Sequence, residues 1–339
     1  MKLVVLKFGG TSVADVPQIK KIALKIKKEI NLGNKVIVVV SAMAGVTNNL
    51  IDLVKSTSQT PLYSEYDVVL STGEQVTSAL LAIALDNLNI KARSWLGWQV
   101  PIISDKSHGK AIIEEIKTEQ ISKFLEKNDV AIISGFQGVS QENRITTLGR
   151  GGSDTSAVAI SAAFSAERCD IYTDVDGVYT TDPRIVKSAK KLDIITYEEM
   201  LELASQGAKV LQTRSVALAM KYNVTLRVLS SFEDLPGTSI IKEERNMEKS
   251  EISGIAHSLN VAKITLSGVP DKPGQASEIF GALAKHSINV DMIVQSSSIN
   301  HEATDITFTI PETDLIIAER TIKKIQNKIG FKKFITDTN

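Results

Sequence analysis

The sequence predicts an α/β protein with a parallel sheet, followed by a small second domain of ferredoxin-like order. Two observations carry this expectation. Apolar, β-branched runs such as Lys2–Phe8 and Val36–Val40 alternate with amphipathic helical stretches, as in βαβ units. Past residue 254 the order of elements changes to βαββαβ.

The elements follow in order. Lys2–Phe8 is apolar throughout, which suits a strand buried on both faces. Pro17 begins a helix with Ile19, Ile22, Ala23, Ile26 and Ile30 on one face and lysines on the rest, and Gly33 ends it. Val36–Val40 forms the next buried strand. Helices are predicted over Val76–Leu85, Ile112–Glu126, Ala157–Phe164 and most of Glu198–Tyr222; strands are predicted over Val130–Ser134, Ile171–Thr173 and Thr225–Leu229. This domain covers 1–241, and a charged stretch without apolar period makes 242–254 a linker. In the tail, 255–339, strands are read at Val261–Ser267, Asn289–Gln295, Thr304–Ile310 and Phe331–Ile335, with helices at Ser277–His286 and Leu315–Ile329.

Composition excludes several classes. The 339 residues are 43% hydrophobic and 23% charged, ample for more than one core. Basic and acidic residues balance at 39 each, which points to neither nucleic acid nor a membrane surface. The start MKLVVLKFGG lacks the form of a signal peptide, and no stretch of about 18 apolar residues predicts a membrane span. Cys169 is the single cysteine, which precludes an intrachain disulfide and suits a reducing cytosol. The four histidines lack ligand spacing, so no transition-metal site is expected.

Several segments carry chemistry. Lys7 closes an apolar strand, where an ammonium is costly to desolvate without an anion, and Gly9 and Gly10 let backbone amides approach the same anion. A lysine at the solvent end of a strand is the plain alternative. Gly149-Arg150-Gly151-Gly152-Ser153-Asp154 precedes a helix and combines free amides with a guanidinium. Capping by Ser153 or Asp154 would leave Arg150 and the glycines unexplained. Thr173 through Arg184 offers carboxylates, an aromatic and a cation beyond a strand's carboxyl end, where α/β sheets bind ligands. Ser71-Thr72-Gly73-Glu74 has capping-box spacing, and Thr47 fits a helix cap; for Ser41, Thr47 and Glu74 taken alone a structural role is the stronger reading. No P-loop, protein-kinase or G-x-S-x-G signature occurs, and the protein supplies no candidate nucleophile.

Lys7-Phe8-Gly9-Gly10-Thr11-Ser12-Val13 resembles the N-terminal signature of aspartate kinases, and the segments at 71–74, 149–156, 173–184, 207–211 and 230–238 resemble that family's later motifs, in order. The resemblance implies a three-layer α/β/α amino acid kinase fold with a mainly parallel sheet. It implies transfer of the γ-phosphoryl group of ATP, with Mg²⁺, to the β-carboxylate of L-aspartate. It assigns Lys7 to the transferring phosphoryl group and Asp154 to organising the cations around it. Gly9, Gly10, Thr173, Asp174, Tyr179, Asp182, Arg184 and Lys209 would bind ATP. Arg150 would clamp the α-carboxylate of aspartate and Glu74 its ammonium, with Ser41, Thr47, Gly151, Gly152 and Ser153 completing the pocket.

The tail resembles an ACT domain, which implies feedback by lysine or threonine and a homo-oligomer formed through such domains. Asp271, Gly274, Gln275, Ala276, Asn289, Asp291 and Gln295 would contact the effector. Aspartate kinases usually carry two ACT units, and this chain has residues for one. Two rival readings remain at this level: a sibling kinase acting on glutamate or acetylglutamate, and a catalytically silent amino-acid sensor. The sensor reading predicts loss of Lys7 or Asp154, and both are present.

Overall fold

The computed structural model describes residues 2–208, 210–242, 254–257, 260–286, 288–297 and 303–338. The chain divides into two compact units, 1–256 and 257–339.

The N-terminal unit runs β1 (Leu3–Phe8), α1 (Val16–Asn31), β2 (Lys35–Val40), α2 (Val46–Thr57), α3 (Tyr63–Leu70), α4 (Thr72–Asp86), β3 (Ala92–Trp95), β4 (Ile102–Ser104), β5 (Ile113–Ile116), α5 (Glu119–Leu125) and β6 (Val130–Ser134). It continues with β7 (Gln137–Ser140), β8 (Ile145–Thr147), α6 (Gly152–Ala163), β9 (Arg168–Thr173), β10 (Ile194–Thr196), α7 (Tyr197–Ser205), α8 (Thr213–Tyr222), β11 (Leu226–Ser230) and β12 (Thr238–Ile241). Eight strands form the main sheet in the order β10-β12-β11-β9-β1-β2-β6-β3, and a smaller sheet has the order β5-β4-β7-β8. The main sheet is parallel except where β12 meets β11.

Alternation along the central strands explains the layers. Val4, Leu6, Val36, Val38, Val130 and Ile132 pack with Ile19, Ile22 and Ile26 of α1 and Leu81 and Leu85 of α4. Their neighbours Val5, Ile37, Val39, Ala131 and Ile133 pack on the other face with Ala157, Val158 and Ile160 of α6 and Val216 of α8. Both faces are covered, giving the three-layer α/β/α arrangement. Cys169, on β9, is fully buried, and burial pushes its thiol up to about 12.

Several predicted elements are corrected. Ile112–Glu126 is not one helix: Ile113–Ile116 is a strand paired with β4, and only Glu119–Leu125 is helical. Its isoleucines have helical spacing, but the ladder to β4 wins. The helix expected at Ala157 starts at Gly152, and Glu198–Tyr222 breaks between Ser205 and Thr213 around Gly207, at φ 107°. One helical stretch, 63–86, is long and apolar enough to span a membrane by length and composition, although no such stretch was expected. Half of its apolar window is buried inside the unit, where Leu70, Leu81 and Leu85 pack.

The C-terminal unit comprises β13 (Val261–Pro270), α9 (Gln275–Ala284), β14 (Ile293–Ser297), β15 (Ala303–Pro311), α10 (Leu315–Lys324), α11 (Gln326–Ile329) and β16 (Lys333–Thr338). Its antiparallel sheet has the order β14-β15-β13-β16. Alternate residues Ala262, Ile264 and Leu266, with Ile306, Phe308 and Ile310, bury one face against Ile279, Leu283, Ala318 and Ile322. The predicted helix Leu315–Ile329 is split in two, and the strand expected from Asn289 begins at Ile293.

Candidate active site

Register brings the carboxyl ends of the central strands to one edge. Phe8 lies beside Val40 and Tyr172, Val40 beside Ser134, and Thr173 beside Ser230. At that edge a cleft of about 300 Å³ is lined by Lys7, Gly10, Ser41, Thr47, Glu74, Phe136, Arg150, Gly151, Gly152, Ser153 and Asp154. Residues far apart in sequence thus meet in one place.

Lys7 belongs to the face of β1 that looks toward α6, because it alternates with Leu6 and Phe8. Its Nζ lies 2.5 Å from Oδ1 of Asp154 in the first turn of α6, and both side chains are nearly buried. This overturns the plain alternative of a lysine at the solvent end of its strand. Asp154 likewise does not cap its helix: Gly151, at φ 70°, holds the N-cap position of α6, and no side chain caps it. The Gly152 amide is taken by the Gly149 carbonyl at 2.9 Å, which leaves the Ser153 and Asp154 amides of the first turn to meet an anion. Arg150 is exposed in this turn and forms no ion pair among the described residues.

The capping-box reading of Ser71 and Glu74 is also corrected. Ser71 Oγ donates back to the Val68 carbonyl at 2.9 Å, and Glu74 Oε1 accepts from the Ala42 amide at 3.0 Å. Glu74 is buried, and its Oε2 finds no hydrogen-bond partner among the described residues. Burial raises this carboxyl from 4.5 to about 7, against the opposing pull of the Ala42 amide. Such a group is poised to accept a cation. Thr47 is not a cap either, since Gly45, at φ 80°, holds the N-cap of α2.

Gly9 donates its amide to the Tyr172 carbonyl at 3.2 Å, so the loop after β1 is tied to the end of β9. Thr173 ends β9 and Asp174 leaves the sheet there, Thr173 Oγ1 donating to Asp174 Oδ1 at 3.0 Å. Tyr179, Asp182 and Arg184 occupy the loop beyond and are outside the cleft lining. Tyr179 donates to Asp176 at 3.0 Å, and Arg184 holds Asp182 through Nη2 at 2.7 Å. Lys209 lies outside the described residues.

In the C-terminal unit Gly274, at φ 94°, is the N-cap of α9, and Gln275 follows with its Oε1 buried and without a partner among the described residues. Asp271, Ala276, Asn289, Asp291 and Gln295 are all exposed. Asp291 is tied by its amide to the Thr309 carbonyl, and Gln295 lies on the edge strand β14.

Sequence reasoning missed supporting residues whose partners lie far along the chain. Asp67 is fully buried and receives Thr147 Oγ1 at 2.6 Å and the Gly109 amide at 3.0 Å. Arg214 donates to the Leu148 and Ala111 carbonyls, each at 2.9 Å. No motif marks either one. Phe136, lining the cleft at φ 68°, was missed as well.

Comparison with known proteins places this geometry. Residues 2–230 match the amino acid kinase family and 264–330 match the ACT domain. An aspartate kinase of Pseudomonas fluorescens is 52% identical, aligned over all of this chain and 82% of the relative. The crystal structure of an aspartate kinase from Synechocystis is 41% identical, with a TM-score of 0.65 over 99% of this chain and 58% of that one. E. coli aspartokinase III, solved with aspartate and ADP, is 27% identical with a TM-score of 0.80 over 99% of this chain and 85% of that one; the same enzyme was also solved with lysine and aspartate. The chain belongs to the amino acid kinase family, in its aspartate kinase branch, with an ACT domain following the kinase domain in sequence.

Proposed function

We propose that the chain transfers the γ-phosphoryl group of ATP to the β-carboxylate of L-aspartate, giving aspartyl phosphate. The observation that carries this reading is a single cleft holding Lys7, Arg150 and the unpartnered Oε2 of Glu74. An amino acid with an anionic side chain presents three charges, and the cleft offers a complement to each. Arg150 takes the α-carboxylate, Glu74 the ammonium, and the side-chain carboxylate faces Lys7. Ser41, Thr47 and Ser153 complete the lining.

No general base is required, because a free aspartate carboxyl, with a pKa of about 3.9, is already ionised near neutrality. The barrier is the approach of two anions. Lys7 and the open amides of α6 meet that repulsion with charge placed in advance. Asp154 holds the Lys7 ammonium in place at 2.5 Å. Mg²⁺ arriving on the phosphates of ATP would supply the remaining positive charge. The nucleotide would lie toward Gly9, Thr173 and Asp174, with Tyr179, Asp182 and Arg184 in the loop beyond; Lys209 is assigned to its phosphates by the family resemblance alone.

The ACT unit is assigned an effector role, with lysine as the ligand. The lysine bound to the E. coli relative and the buried, unpartnered Gln275 Oε1 support this. Asp271, Gly274, Ala276, Asn289, Asp291 and Gln295 would complete that site, in a homo-oligomer paired through ACT domains.

The test is an initial-rate assay of ADP release with aspartate, glutamate and acetylglutamate, with and without lysine or threonine. Aspartate alone should support turnover, and Lys7→Ala should reduce kcat by about 100-fold or more. Turnover with glutamate and none with aspartate would overturn the substrate.

A further inference from the structure

We propose that Arg214 is a positioning residue for the turn that grips aspartate, holding Arg150 in aim without touching either substrate. The inference rests on the aspartate kinase reading above. Arg214 is the second residue of α8, and its two terminal nitrogens reach two separate segments: Nη1 donates to the Leu148 carbonyl and Nη2 to the Ala111 carbonyl, both at 2.9 Å. Leu148 immediately precedes Gly149. The Ala111 amide in turn donates to the Thr147 carbonyl at 2.9 Å, so the fork of Arg214 closes over a pair of adjacent chains.

The same pair of chains is also gripped by a carboxylate. Asp67, on α3, accepts from Thr147 Oγ1 at 2.6 Å and from the Gly109 amide at 3.0 Å, with His108 Nδ1 at 2.7 Å. A Cβ at Gly149 would stand 3.1 Å from the Gly109 carbonyl, so the chains touch directly above the turn. α8 meets the turn a second time at Gly151, where a Cβ would fall 2.0 Å from Gln212 Cγ.

This bracing matters because Arg150 has no ion pair among the described residues to fix it. Its direction depends on the backbone of Gly149–Gly152. A misplacement of about 1 Å in a substrate clamp costs as much as about 100-fold in rate. Lysine cannot replace the fork, since one ammonium on a flexible stem does not reproduce two diverging donors held in a plane.

The experiment compares wild type, Arg214→Lys and Arg214→Met for kcat, KM for aspartate, KM for ATP and thermal midpoint, with hydrogen exchange over 148–152. The expected result is a KM for aspartate raised about tenfold or more in Arg214→Met and less in Arg214→Lys. KM for ATP should stay within about twofold, and exchange should accelerate at 148–152. Guanidinium ion added to Arg214→Ala should partly restore KM for aspartate. Equal change in both KM values, or unchanged KM for aspartate and unchanged exchange in a folded variant, overturns the proposal. Should Arg214→Met fail to fold, Arg214→Lys decides by the same readings. Wild type inactive on aspartate would sink the substrate reading alone, because the exchange at 148–152 still tests the brace.

Discussion

At the residue scale, Glu74 joins a structural oddity to a measurable pH dependence. Its carboxyl stands at about 7 instead of 4.5 because it is buried with one oxygen unpartnered. A carboxyl raised on folding favours the native state most below about 4.5, and that contribution, roughly 3 kcal/mol, is lost as the pH rises to about 7. An ammonium seated at Oε2 reverses the preference by stabilising the anion. Aspartate should therefore bind more tightly as the pH rises through 7. KM for aspartate is expected to fall about tenfold per pH unit below 7 and level off above it, and Glu74→Gln should raise and flatten the profile. A wild-type profile flat from pH 6 to 8 would remove Glu74 from the ammonium site. The residues legible in the sequence were those whose chemistry is odd for their position, such as Lys7 ending an apolar strand. Asp67 and Arg214 were not legible because their partners, the Thr147 hydroxyl and Gly109 amide for one and two backbone carbonyls for the other, lie more than 40 residues away, and nothing local records such a partner.

At the element scale, the aim of Glu74 depends on how closely α4 approaches the loop after β2. A Cβ on Gly73 would stand 2.7 Å from Ala42 Cβ, and Ala42 is the residue whose amide holds Glu74. Gly73→Ala should push the helix and loop apart, costing about 1–3 kcal/mol and loosening aspartate binding; thermal denaturation and KM for aspartate report the two effects. The buried strands β1, β2 and β6 could be read from sequence because all but the first residue of β1 and β2, and all of β6, are enclosed, so no helical period competes. The short strands β3, β4, β5, β7 and β8 could not. Ala92–Trp95 is polar at its centre, and the isoleucines of β5 mimic a helix face until β4 pairs with them. Long-range pairing decided these segments, and local pattern does not encode it.

At the scale of the whole molecule, the change of grammar between the parallel N-terminal sheet and the antiparallel C-terminal one was legible because their periodicities differ: continuous apolar runs against alternation in β15 and in β13 up to Ser267. The N-terminal unit also contains a built-in clock. Cys169 is the chain's only cysteine, and it sits at the centre of the main sheet with its thiol held protonated. An alkylating reagent can reach it only when β9 parts from its neighbours, so the labelling rate measures that rare opening. The thiol should react at least about 1,000 times more slowly than a small-molecule thiol, and aspartate with ADP should slow it further by favouring the closed state. Labelling at the speed of a free thiol would mean that the sheet beneath the cleft breathes far more than its packing implies.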